Sequence, residues 1–135
     1  SQNETHTILA LRGYIGLLRI RSDRPAQESI DHYMTAMKYA TEISEKRMVL
    51  SGLSGMRSGI VEALNSIADY LEDSSLKPEA EAAIIRLLDR VRDRSAKRLK
   101  GMFSAGLGDT LNTILMSTDN ERIHAWIPGI LEQGM

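Results

Sequence analysis

Cysteine is absent from this 135-residue chain, which excludes disulfides and thiolate metal sites. Chains from either redox environment can lack cysteine, so the absence names no compartment. Aromatic residues are scarce at 4%: one Trp, one Phe and four Tyr, scattered rather than arrayed as platforms for stacking bases. Neither sign of charge dominates. The formal net charge of −1 predicts no global attraction to nucleic acid or to an acidic membrane. No apolar run approaches the roughly eighteen residues that a membrane-spanning helix needs. The opening SQNETHTILAL has neither an initiator Met nor a basic segment followed by an apolar core, so it does not read as a signal peptide. A chain starting at Ser1 reads instead as a fragment of something longer.

What remains is an ordinary globular balance, 42% hydrophobic and 26% charged, in a length suited to one domain over residues 1–135. The apolar residues recur at helical period throughout. Residues 44–72 form the clearest unit: Ser44 can cap a first helix, Gly55 and Gly59 flank a turn, and Ile60, Leu64, Ile67 and Leu71 stripe a second helix. Before this unit, Ile8, Leu11, Ile15 and Leu18 predict a helix over about residues 4–21. Pro25 then suits the first turn of a helix reaching about Ala40, with Ile30, Met34 and Met37 facing inward. After the unit, Pro78 starts a helix striped by Ile84, Leu88 and Val91 and broadened by Ile85 and Leu87. Gly101, Gly106 and Gly108 break up what would otherwise be one long helix, and Leu107, Leu111 and Ile114 resume the stripe. Thr118 stands three residues ahead of Glu121, the capping-box spacing, before a last helix carrying Ile123, Trp126, Ile127, Ile130 and Leu131. Pro128 is expected to kink or end that helix near Ile127.

Laid over one another, these helices repeat. Leu11-Arg12-Gly13-Tyr14 corresponds to Leu50-Ser51-Gly52-Leu53, and Ile84-Ile85-Arg86-Leu87 takes the third place. Ile30, Met34 and Met37 map onto Ile60, Leu64 and Ile67, with Leu107, Leu111 and Ile114 as a further copy. Helix pairs recurring every thirty to forty residues or so are the mark of an α-solenoid, because one hairpin cannot bury its own stripe and stacked hairpins share a core. The expected fold is all-α, a HEAT/armadillo-like α-solenoid of about three helix pairs plus a closing C-terminal helix.

The run ALRGYIGLLRI, the EKRMVLSGL helix and YLEDSSLKPEAEAAIIRLL together resemble a HEAT-type repeat domain over about residues 10–91, and the STDNERI segment resembles a closing repeat. More narrowly, they are similar to the HEAT-like modules that accompany concanavalin-like domains of the 3-keto-disaccharide hydrolase type in secreted or cell-envelope bacterial proteins. The resemblance implies a repeat fold, a larger, glycan-processing parent protein, and a periplasmic, cell-envelope or secreted location. It implies no catalytic residue in this chain, since the shared motifs are helix faces and turns.

Sites of chemistry are few. His6, His32 and His124 are far apart, and no His-Glu dipeptide, H-x-x-x-H or H-E-x-x-H pair occurs. Ser54 is not in a G-x-S-x-G elbow, and Gly52, Gly55 and Gly59 belong to no phosphate-loop motif; they read as close-approach and helix-ending residues. Asp69, Glu72 and Asp73 read as solvated residues at a helix end. The methionines Met34, Met37, Met48 and Met56 lie on helical stripes and read as core. Trp126 reads as a cap on the core. One charge feature stands out: Arg86, Arg90, Arg94 and Lys97 recur at four, four and three and are expected to line one helix face, with Arg92, Arg98 and Lys100 nearby. Such a ridge could hold a polyanion. Interleaved Asp89 and Asp93, an Asp93–Lys97 pair, and Glu79 or Glu81 from a neighbouring repeat favour an intramolecular or solvated role instead.

These readings lead to a non-catalytic scaffold or protein-interaction module, without cofactor or metal, whose partners are neighbouring domains of a parent chain or another protein. The alternative is polyanion or nucleic-acid binding through Arg86, Arg90, Arg94 and Lys97.

Overall fold

The computed structural model describes residues 26–134, and every regular element among them is helical. Seven α-helices follow in order: α1 (Ala26–Tyr39), α2 (Ile43–Ser54), α3 (Ile60–Ala68), α4 (Lys77–Arg92), α5 (Ala96–Ser104), α6 (Leu107–Ser117) and α7 (Glu121–Gln133). A 3₁₀ turn, Asp69–Glu72, tightens the end of α3. The helix expected over residues 4–21, the Leu11–Tyr14 copy of the repeat, His6 and Pro25 lie outside the described residues.

The helical stripes become the core. Ile60, Leu64 and Ile67 on α3, Ile84, Leu88 and Val91 on α4, Leu107, Leu111 and Ile114 on α6, and Ile123, Ile127 and Ile130 on α7 are all buried in one contiguous cluster. Leu71 joins them although the backbone has changed to 3₁₀ by that point. On α1 the buried face is Ile30, Tyr33, Ala36 and Met37, with Met34 only partly covered.

Apart from α4 and α5, helices adjacent in sequence pack against one another, and contacts also skip along the chain. α2 packs against α1 and α4, α4 against α3 and α7, and α6 against α3 and α7; α1 also touches α3. At the α1–α2 contact, Gly52 lies under the Tyr33 ring. A Cβ at Gly52 would stand 2.8 Å from Tyr33 Cζ, closer than carbon atoms approach, so this glycine is what lets the ring seat.

Several helix boundaries differ from those read off the sequence. Ser44 does not cap α2: Glu42 holds the N-cap position, and Ser44 lies inside the first turn, donating to Glu45 Oε2 at 3.3 Å. Thr118 and Glu121 form no capping box. Asn120 is the cap of α7, its Oδ1 accepting from the backbone N–H of Arg122 (3.0 Å) and Ile123 (3.1 Å). Thr118 serves a longer-range contact, its hydroxyl donating to the Glu81 carboxylate on α4.

Pro128 does not end α7, which runs on to Gln133. Proline removes the single hydrogen bond to the carbonyl four residues back, and burial of Ile123, Ile127 and Ile130 on either side holds the helix together across that gap. Among the glycines of the last third, Gly106 alone is at a break: its φ of +101° places it in the left-handed region between α5 and α6. Gly101 lies within α5 and Gly108 within α6.

Candidate functional site

The arginine row has a different shape from the one its spacing suggests. α4 stops at Arg92, and Ser95 starts a new helix by accepting from the Arg98 N–H at 3.3 Å. Arg86 and Arg90 therefore stand on α4, Arg94 in the turn after it, and Lys97 on α5, so the four do not line one helix face. The break comes from this cap, which resets the helical phase between Arg94 and Lys97.

Three of those arginines reach the end of α2 and the turn beyond it. Arg90 Nη1 donates to the carbonyl oxygens of Ser54 (3.0 Å) and Met56 (2.6 Å). Arg94 Nη2 donates to the carbonyl of Arg57 at 3.0 Å, and Arg86 Nη1 to the Ser54 hydroxyl at 3.5 Å. The last carbonyls of a helix lack intrahelical donors and carry the negative end of its dipole, so guanidinium groups are well matched to them. Charge on α4 thus clamps the α2–α3 turn. Two of the carboxylates that could have met this row are engaged elsewhere: Glu79 lies 3.7 Å from Arg47, and Glu81 accepts from Thr118.

Beside the clamp is a cavity of about 380 Å³ where the α2–α3 turn, the first turn of α3, and α5 come together. Arg57, Arg94 and Arg98 all line it. Of these, Arg57 lies in the turn and carries no periodic signal; Arg98 falls within the basic segment that the sequence marks out. The cue that was available for Arg57 is its place two residues ahead of Gly59, whose φ of +64° turns the chain into α3.

The remaining candidates are spread over the molecule. His32 stands on α1, 3.7 Å from Glu28, and His124 on α7 donates through Nε2 to the Thr118 carbonyl. Ser54 is buried, its hydroxyl donating to Ser51 O at 2.6 Å. Asp73 Oδ1 accepts from Ser75 N–H at 2.9 Å in the turn before α4. Asp69 and Asp73 bracket Tyr70, whose phenol is pushed up from its ordinary value of 10.0, first by burial and then by those two carboxylates. Met37 is buried, and Met34, Met48 and Met56 pack against the core. Trp126 also packs there, with the Arg92 guanidinium 4.1 Å and that of Arg122 5.9 Å from its ring centroid. Among the described residues no helix is long and apolar enough to cross a membrane. No protein-family model matches this chain, and no curated protein or solved structure matches it either.

Proposed function

We propose that this chain is a HEAT/armadillo-like α-solenoid acting as a non-catalytic scaffold or protein-interaction module. The observation that carries this reading is the order in which the helices touch. α2 meets α4 and α4 meets α7, while α1 meets α3 and α3 meets α6. Two rows of helices sharing one core are what stacked helix pairs produce, with α5 as an extra helix between α4 and α6 in the chain. The arginine clamp supports a holding role as well, because it fixes the turn of one hairpin to the first helix of the next. Following the family resemblance, the module belongs to a larger extracytoplasmic bacterial protein with a glycan-processing partner domain.

Two experiments test this proposal. An antibody raised against the chain is expected to detect, in fractionated source cells, a band well above 15.0 kDa in the envelope or secreted fraction. A cytoplasmic band at 15.0 kDa overturns the extracytoplasmic assignment. Turnover of a substrate by the chain, abolished by substitution of its own residues, overturns the non-catalytic one. The alternative of polyanion binding through Arg86, Arg90, Arg94 and Lys97 has less behind it, since three of those side chains already donate within the molecule. Fluorescence anisotropy with duplex DNA tests it, and reversal of the four charges must then abolish binding.

A further inference from the structure

Three separate segments bring arginines to one cavity. Arg57 comes from the turn after α2, Arg94 from the turn after α4, and Arg98 from the first turn of α5. Gathering like charges is unfavourable unless a counter-charge joins them. Among the described residues Glu62 is the one carboxylate in the lining, and their ion pairs lie elsewhere, at His32–Glu28, Arg47–Glu79 and Arg92–Asp89. Arg94 spends Nη2 on the Arg57 carbonyl, which holds two of the three arginine-bearing turns together and leaves the rest of its fork for a ligand.

The cavity also has an apolar wall of Ile60, Met102 and Ala105, and its volume of about 380 Å³ is that of a small-ligand site. The start of α3 supplies further donors. Gly59 provides no side-chain cap there, and Ala63 is the first residue whose N–H bonds back, to Gly59 O at 2.9 Å. The N–H groups of Ile60, Val61 and Glu62 therefore have no acceptor within the helix. Three guanidinium forks exceed what the two oxygens of a carboxylate can accept, whereas a phosphate monoester offers three terminal oxygens and up to two charges.

We propose that this cavity binds a small organic phosphate, its phosphate held by Arg57, Arg94 and Arg98 and its apolar body laid against Ile60, Met102 and Ala105. The inference goes beyond the scaffold reading and does not rest on it. Isothermal titration calorimetry of the full chain with phenyl phosphate, inorganic phosphate and phenol tests it. Phenyl phosphate is expected to bind saturably at one site and more tightly than inorganic phosphate, and phenol not at all. Arg57 and Arg98 are exposed, so Arg57→Gln and Arg98→Gln are expected to leave the thermal melt unchanged. Each is expected to weaken phenyl phosphate by about tenfold or more, the usual effect of losing a charged hydrogen-bond donor. Three results overturn the proposal: no saturable binding of either anion, equal affinity for the two anions, or binding that survives both substitutions.

Discussion

At the scale of single residues, Arg90 does the most connecting. From its place on α4, one of its nitrogens satisfies a carbonyl at the end of α2 and another in the turn beyond it. Arg90→Met keeps the stem and removes the donors, leaving two carbonyls to find water. The expected loss is about 2 kcal/mol, as for other hydrogen bonds to charged groups, and urea denaturation with an unchanged m-value would show it. Tyr70 predicts a pH effect. Its phenol is raised in the folded state by burial and by Asp69 and Asp73, so the folded protein gives up that proton less readily than the unfolded chain. The associated stability is complete below the unfolded value of 10.0 and falls as pH rises through the higher folded value. Denaturation above pH 10 should therefore be steeper in pH for the parent chain than for Tyr70→Phe. Equal slopes would show that Tyr70 is not the group responsible.

At the scale of elements, the helices obey local chemistry except where a distant partner intervenes. The stripes on α3, α4 and α6 were readable because helical period is a local property of the chain. So was the turn between Gly55 and Gly59, where Gly59 supplies the positive φ that opens α3. Caps were less readable: Thr118 has the right spacing for a capping box, but its hydroxyl is taken by Glu81, 37 residues away, and Asn120 caps instead. The glycines divide the same way. Gly129 sits inside α7 with open space where a Cβ would go, so Gly129→Ala is expected to stabilise by about 0.5–1 kcal/mol. Gly106 also has open space, but its positive φ makes Gly106→Ala destabilising by about 1–2 kcal/mol. Paired thermal melts distinguish the two; a shift of the same sign in both would contradict the backbone assignment of Gly106.

At the scale of the whole molecule, α4 is packed on several sides, touching α2, α3, α7 and the 3₁₀ turn. Leu88 is fully buried on it, so Leu88→Ala should cost about 2–5 kcal/mol through lost burial and the cavity left behind. Met116, on α6, is 89% exposed, and Met116→Ala should stay within about 0.5 kcal/mol of the parent. Chemical denaturation of both variants would check that the inward face of α4 carries core energy and the exposed Met116 does not.

The chain by itself determined that it is helical, where most helices lie, and which faces they bury, because each of these follows from residues within a few positions of one another. Only the tertiary structure decided what the arginines do. Arg90 meets Ser54 and Met56 across 36 and 34 residues, and Arg57 comes beside Arg94 and Arg98 only when α2, α4 and α5 have packed. Spacing along one helix cannot report such contacts, since a guanidinium takes the carbonyl that folding brings within its reach, and the helix on which the spacing relied had already stopped at Arg92.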